Sequence, residues 1–396
     1  MPHEQGGRED GTGGSGALMG LPRKQPVPGQ QSLSGWRAAS LSERDDLPTV
    51  VRAVLTGIAV GDDVTSSAFA DVFLAIGELS APVRDVVLGS LMTAVMARGP
   101  VADDVEALLR SALALDEQKP AEVISGGDGP VVLLAGSGKK GVRTLNVSTP
   151  AALVAAAAGA RVIKVGSAAT SSALGSRDLV RALGLSECNT ADSVRAELAA
   201  SGFAFVAIEP EIPALDGLYG GRFHVPNPFS FGLAPLASPV RGDITVFGLS
   251  HPRVDVAACA LSRFGMGQVE VLSTRLPSGH YLDEIGPAGE LRWCRVRDGD
   301  VGPVEVEPAQ APFEASLPAE VPPHGPVEAI ARTAELLAGG GLESHRALVM
   351  LNAAHLLVLS GVTESLTRGI AVAEDILRSG VTLPNVPIAH GAGRGA

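Results

Sequence analysis

Cysteine is scarce. Cys188, Cys259 and Cys294 stand far apart in a chain of 396 residues, with no CxxC pair and no histidine beside them. That spacing offers neither a disulfide framework nor a zinc site, so a reducing, cytoplasmic setting is expected. Long apolar runs are missing too. None approaches the roughly 20 residues that a membrane helix needs. The richest stretch, Ala151 to Ala158, is short and built of small residues, which suits a buried helix. Glu4, Arg8, Glu9 and Asp10 crowd the first residues, where a secretory signal would need an apolar core. Net positive charge is also lacking: the chain carries −12 with a pI near 5.2. A nucleic-acid backbone is therefore not expected as a partner, because phosphate neutralisation requires a basic footprint.

What is present suffices for a large core: 45% of residues are apolar and the mean hydropathy is +0.24. Residues 1–42, rich in Gly, Gln, Pro and Ser, are expected to be a flexible tail outside the fold. Residues 43–118 have helical spacing: Val50, Val51, Val54, Leu55 and Ile58, then Phe69, Val72, Phe73 and Ile76. Two further helices are expected over Val86 to Met96 and over Asp103 to Leu115, the latter opening on acids that suit its dipole. Residues 119–385 change pattern. Strands are predicted at Val131 to Ala135, Arg161 to Val165, Phe203 to Ile208, Ile244 to Leu249 and Val269 to Ser273, with helices between them. Three more helices, about 326–339, 343–359 and 364–378, finish the chain. The expected class is α/β, with a small N-terminal helical subdomain and a larger domain around a mostly parallel sheet flanked by helices.

Three segments carry chemistry. The first, GSGKKGVRTLNVST at 136–149, is a glycine loop leaving a strand and ending on a Ser/Thr pair that opens a helix. Glycines admit phosphate to the backbone, and a helix N-terminus supplies free N–H groups and a positive dipole end. Gly136, Ser137, Gly138, Asn146, Ser148 and Thr149 are the candidate anion ligands there. The second, KVGSAATSSALGS at 164–176, adds Lys164, another glycine turn and hydroxyls including Ser172. Two such loops at strand ends would meet on one edge of a parallel sheet, where open α/β sheets bind ligands. The third is Asp283-Glu284 in HYLDEIGPAGE, an adjacent carboxylate pair of the kind that holds Mg²⁺. Alone, each has an ordinary alternative: a turn, a solvated strand end, a solvated acidic surface.

Together these segments resemble the anthranilate phosphoribosyltransferase family, of the nucleoside phosphorylase and phosphoribosyltransferase class with the glycosyltransferase family 3 fold. Residues 136–149 follow that family's GTGGDGxxTxNxST signature, and residues 164–184 its KHGNRxxSSxxGSADxLEALG segment. FGLAPLASP at 231–239, YLDEIGPAG at 281–289 and the LNAA-containing tail are similar in the same order. The resemblance implies a Mg²⁺-dependent transfer of phosphoribose from phosphoribosyl pyrophosphate (PRPP) in a cleft beside the helical subdomain, by an enzyme that is usually a homodimer. By position it implies Gly136, Ser137, Gly138, Lys140, Asn146, Ser148, Thr149, Lys164 and Ser172 at the donor, with Ser148, Asp283 and Glu284 on the metal.

The departures from the family gather at the acceptor. Lys139-Lys140 replaces a Gly-Asp, and Val165-Gly166-Ser167 replaces a His-Gly-Asn whose asparagine contacts anthranilate. The lysine pair serves either donor binding or an exposed surface. In residues 209–232 the arginine that recognises the anthranilate carboxylate is not aligned; Arg222 alone is nearby, while Glu209, Glu211 and Asp216 have appeared. Carboxylates attract cations, so the expected acceptor is cationic, such as the hydroxyl of a neamine-like amino sugar or aminocyclitol in antibiotic biosynthesis. A hydroxyl nucleophile needs a general base, for which Glu209, Glu211, Asp216 and, less well, His224 stand as candidates beside Lys164 on the donor. The alternatives are an anthranilate enzyme of tryptophan biosynthesis, a pyrimidine nucleoside phosphorylase and a non-catalytic binding relative.

Overall fold

The computed structural model describes residues 47–117, 120–127, 129–139, 144–169, 174–220, 222–310 and 325–382. The expected tail at 1–42 and the site residues Lys140 and Ser172 lie outside them. Four helices come first: α1 (Thr49–Val60), α2 (Ser66–Ile76), α3 (Ala81–Ala97) and α4 (Ala102–Ala114). Asp103 and Asp104 sit in the first turn of α4, where the dipole favours them. Asp104 is also buried, accepting from Ser66 Oγ at 2.7 Å and facing Arg98 at 3.5 Å. The carboxylate is thereby compensated on both sides, and α2 is tied to α4.

The strands and helices of the larger part follow: β1 (Glu122–Val123), β2 (Val131–Gly136), α5 (Ser148–Ala157), β3 (Arg161–Gly166), α6 (Ser176–Ala182), α7 (Ala191–Ser201) and β4 (Phe203–Ala207). Then come α8 (Pro213–Tyr219), α9 (Leu233–Leu236), β5 (Val240–Arg241), β6 (Ile244–Gly248), α10 (Val254–Arg263), β7 (Gln268–Arg275) and β8 (Tyr281–Leu282). The chain continues through β9 (Ala288–Arg297), β10 (Asp300–Gln310), α11 (Pro326–Leu337), α12 (Glu343–Leu359) and α13 (Leu366–Ser379). Each predicted helix and strand is found, with ends displaced by a residue or a few. Among the described residues no helix is long and apolar enough to cross a membrane.

The main sheet runs in the order β10-β9-β7-β6-β2-β3-β4, with β8 added on β7. The strands β7, β6, β2, β3 and β4 are parallel. The hairpin β9–β10 adds two antiparallel strands that the sequence analysis did not anticipate. Strand alternation divides the core. Val131, Leu133 and Ala135 of β2 join one apolar cluster with α1–α4, α7, α8 and α10. Val132 and Leu134 point the other way, into a cluster with α5, α6 and α11–α13. The first cluster is continuous from the N-terminal helices onto the sheet, so helical subdomain and sheet share one core. On the second side α5 is almost wholly buried, and its small side chains let α12 lie close over it. The apolar Ala-rich run at 151–158 has this packing as its physical reason.

Connection order places the site. From β2 the chain passes to β3 and β4 on one side, whereas β6 and β7 lie on the other. The switch point therefore falls between β2 and β6. Outside the carboxyl ends of those two strands is where such a sheet leaves room for a ligand.

Candidate functional site

A pocket lies at that switch point. Gly136 ends β2 at its rim, Gly248 ends β6, and Ser148 opens α5. Asp283 and Glu284 come in from the loop after β8. Ser148, Asp283 and Glu284, distant in sequence, thus line one space, together with Asn352 and His355 from α12.

The loop carrying the two carboxylates is held tightly. Thr274 Oγ1 donates to the Glu284 carbonyl at 2.7 Å and accepts from Gly286 N at 2.9 Å. From the opposite side Asn352 accepts from Ile285 N and donates to Ile285 O, both at 3.0 Å. The loop crosses so close to the strand ends that only glycine fits beneath it. A Cβ at Gly248 would stand 1.8 Å from the Asp283 carbonyl oxygen, and one at Gly136 would stand 2.8 Å from Asp283 Oδ2. Gly138 N donates to that same Oδ2 at 2.8 Å. The glycine loop and the acidic loop are therefore fastened to each other at the pocket. Asp283-Glu284 is not solvated surface: Glu284 is 5% exposed.

The glycine loop is further fixed by Ser137. Its N–H reaches Gly248 O at 2.8 Å, and its Oγ accepts from Ser250 N at 2.9 Å. At the head of α5, Asn146 Oδ1 accepts from Thr149 N at 3.3 Å, while its Nδ2 faces Ser176 Oγ at 3.3 Å. Thr149 is fully buried and its hydroxyl has no hydrogen-bond partner among the described residues. A buried hydroxyl left so costs free energy. Lys164 stands opposite Leu134 in the β2–β3 register, so both share the pocket's face of the sheet. It is 2% exposed and donates to the Val165 carbonyl. A solvated strand end is thereby ruled out for it.

The expected acceptor acids separate. Glu209, in a 3₁₀ turn, accepts from Ala168 N and faces Arg177 at 3.5 Å. Arg177 also grips Glu187 with bonds of 2.9–3.1 Å, and its hydrogen bond holds the Glu187 carboxyl below the usual carboxylate range. Glu209 thus fastens the second loop. Glu211 is half-buried, and desolvation pushes its carboxyl above the usual range. Asp216 sits in the first turn of α8. The head of that helix is capped from α4's end: Asp116 accepts from Ala214 N at 2.6 Å and Leu215 N at 3.0 Å. Arg222 turns to α3, meeting Asp85 at 2.8 Å, and His224 is exposed.

For Lys139 the structure excludes one of its two readings, the exposed surface. It is not an exposed lysine: it is 8% exposed, and its backbone takes a φ of +62° that favours glycine. The Nζ donates to Tyr219 Oη and lies 4.9 Å from the centre of that ring. Asn227 Nδ2 donates to the same oxygen at 2.9 Å. Burial drops the Lys139 ammonium from its ordinary value of 10.5 to about 8. Nothing in the lysine pair's sequence distinguished this inward turn from a solvated one. Asn352, Thr274 and His355 were likewise not singled out; Asn352 stands inside the family-like LNAA segment, the one signal that marked it.

The chain matches the family described as glycosyl transferase family, a/b domain, over residues 128–383. The chain belongs to this family. Anthranilate phosphoribosyltransferase of Methanosarcina acetivorans is 30% identical, over 81% of this chain and 84% of that protein. The enzyme of that name from Synechococcus sp. (strain JA-3-3Ab) is 31% identical, over 77% and 87% respectively. Among solved structures, anthranilate phosphoribosyltransferase from Thermus thermophilus superposes with a TM-score of 0.61 at 27% identity, covering 82% of this chain and 94% of that one. The Saccharomyces cerevisiae enzyme in complex with PRPP and Mg gives a TM-score of 0.63 at 20% identity, covering 84% and 94%, a likeness of fold. The helical N-terminal part and the mostly parallel sheet of this chain match the fold of these enzymes.

Proposed function

We propose that this family member is a phosphoribosyltransferase that uses Mg²⁺ and PRPP, and that its acceptor is anthranilate or a closely related aromatic amino acid. The observation that carries the donor half is the meeting of Gly136, Ser148, Asp283 and Glu284 around one pocket at the sheet's switch point. The donor set suits the metal: a hydroxyl and two carboxylates are hard oxygen ligands, and Mg²⁺ is commonly held by one or two carboxylates with phosphate and water completing its shell. Among the described residues no third acid joins them, which leaves positions for a polyphosphate.

Mg²⁺ bound there would supply charge neutralisation to the leaving pyrophosphate. The chain's own residues do the rest. The head of α5 offers the same leaving group its positive dipole end. Thr149 offers it the hydroxyl that lacks a partner among the described residues, and Lys164 lies on the same face of the sheet. These groups stabilise negative charge as the C1–O bond opens, and attack from the opposite face inverts C1. An aromatic amine needs little help to attack, since it becomes acidic once bonded to carbon.

The relatives' names support the anthranilate acceptor above the amino-sugar hydroxyl that the acidic segment suggested. Glu209 adds little to the latter, being engaged by Ala168 and Arg177. One observation keeps it as a second reading: Glu211, with its raised proton affinity, has the property wanted in a base for a hydroxyl. Pyrophosphate release from PRPP and Mg²⁺, with anthranilate and neamine offered in parallel and products weighed by mass spectrometry, separates the two. An anthranilate adduct is expected. A neamine adduct alone would replace the acceptor while keeping the donor chemistry, and release with neither acceptor, despite bound PRPP, would overturn both. The homodimer implied by the resemblance is tested by light scattering of the same preparation.

A further inference from the structure

Lys139 bears two burdens. An L-residue at φ +62° stores backbone strain, and an ammonium with 8% exposure is largely stripped of water. Among the described residues no carboxylate stands within ion-pair distance to compensate it. The Tyr219 phenol oxygen is its partner, at the hydroxyl edge of the ring, and one hydrogen bond to a neutral oxygen offsets desolvation only in part. A buried cation so placed lacks an anion.

Its direction says which substrate would bring one. Lys139 leaves the glycine loop away from the carboxylate pocket and toward α8, whose Tyr219 packs with the helical-subdomain side of the core. Aromatic residues make up 4% of the chain, yet they concentrate here. Tyr219 stacks on Phe223 with centroids 5.3 Å apart and meets Phe229 edge-on at 5.0 Å. A cation at the edge of a cluster of aromatic rings suits an aromatic ring that carries an acid.

We propose that Lys139 is the specificity-determining cation of this enzyme: it binds the carboxylate of an aromatic amino acid acceptor, with Tyr219 and Phe223 as the apolar wall for its ring. The inference rests on the aromatic acceptor proposed above. It assigns the recognition to a residue of the donor loop, so that donor and acceptor are held by neighbouring links of one chain segment. Arg222, committed to Asp85 on the surface of α3, does not serve.

The test compares the full-length enzyme with Lys139→Met, which keeps the aliphatic stem. Initial rates of pyrophosphate release are measured with anthranilate and with aniline, the same nucleophile without the acid. Binding of Mg²⁺ and PRPP is followed by calorimetry and shows that the variant is folded. The expected result is a rise in the KM for anthranilate of about tenfold or more, the worth of one hydrogen bond to a charged group, with PRPP affinity kept within about threefold. The preference for anthranilate over aniline should fall by the same factor. An unchanged anthranilate KM, or a PRPP affinity that falls as far as the anthranilate affinity, overturns the role of Lys139 and leaves the acceptor reading standing. A parent enzyme that binds PRPP yet ignores anthranilate overturns that acceptor reading itself.

Discussion

If Lys139 is kept for a substrate, the fold without substrate should be more stable when the ammonium is removed. The size of the effect follows from its proton affinity. A fall from 10.5 to about 8, at about 1.4 kcal/mol for each tenfold, is worth up to about 3 kcal/mol. The side chain is buried enough that solvent screening takes little from this. The sign is fixed by linkage. The folded protein releases the Lys139 proton more readily than the unfolded chain does, so between pH 8 and 10.5 the unfolded state holds more of it. Stability contributed by this group therefore rises with pH through that window, and the full penalty is present below it. Lys139→Met should accordingly be more stable than the parent near neutrality, by up to about 3 kcal/mol, and the gap should close toward about pH 10. Urea titrations of both proteins at about pH 7, 8.5 and 10 read the difference directly, and every other titrating group cancels in it. Parallel pH dependences in the two proteins would refute the reasoning, as would a variant less stable than the parent at neutral pH. Gain of stability with loss of acceptor affinity is the trade expected where a site stores unfavourable energy for use in binding.

Other perturbations probe the pocket. Asp283→Asn and Glu284→Gln should each reduce pyrophosphate release by about 100-fold or more and raise the Mg²⁺ needed for half-activation, read by metal titration. Gly248→Ala should abolish most of the activity, because its Cβ would meet the Asp283 carbonyl at 1.8 Å; a variant with ordinary Mg²⁺ dependence would show that the loop can shift freely. Thr149→Val removes a hydroxyl with no partner among the described residues, and should leave the free protein as stable or about 1 kcal/mol more stable while raising the KM for PRPP. Asn352→Leu strips both hydrogen bonds to Ile285. It should lower stability by about 2 kcal/mol and weaken Mg²⁺ activation, by thermal unfolding and metal titration in turn.

The parallel part of the sheet was legible because its strands are buried on both faces. VVLLA and FAFVA are continuous apolar runs and RVIKV is one interrupted by Lys164, each followed by glycine, polar residues or a turn. The hairpin β9–β10 was not read, since many of its residues face solvent and are charged. Arg292, Arg295, Glu305 and Glu307 break any apolar run there. Asp298-Gly299 was nevertheless a signal. Both residues take a positive φ, 52° and 89°, as a tight hairpin turn between twisted strands requires. Periodicity alone could not reveal it; the turn chemistry could.

The proposed donor pocket was legible for a different reason. Ligands of a polyphosphate need particular atoms at strand ends and helix starts, so their residue types survive as short motifs, and Gly136, Ser148 and Asp283-Glu284 could be named before their meeting was seen. Acceptor recognition leaves no such trace. A carboxylate is satisfied by any cation that reaches it, and which cation reaches it is decided by the direction of one side chain. Arg222 looked available in sequence but is spent on Asp85, while Glu209 looked like an acceptor contact but fastens the loop at Ala168. Lys139 was open between donor binding and surface, and it is buried. What separates these three is tertiary: Asp116 at the end of α4 caps α8, and α8 then holds Tyr219 where Lys139, leaving β2, meets it. The charge of the proposed acceptor site thus follows less from the sum of the charges in residues 209–232 than from which of them are already paired, Glu209 with Arg177 and Arg222 with Asp85.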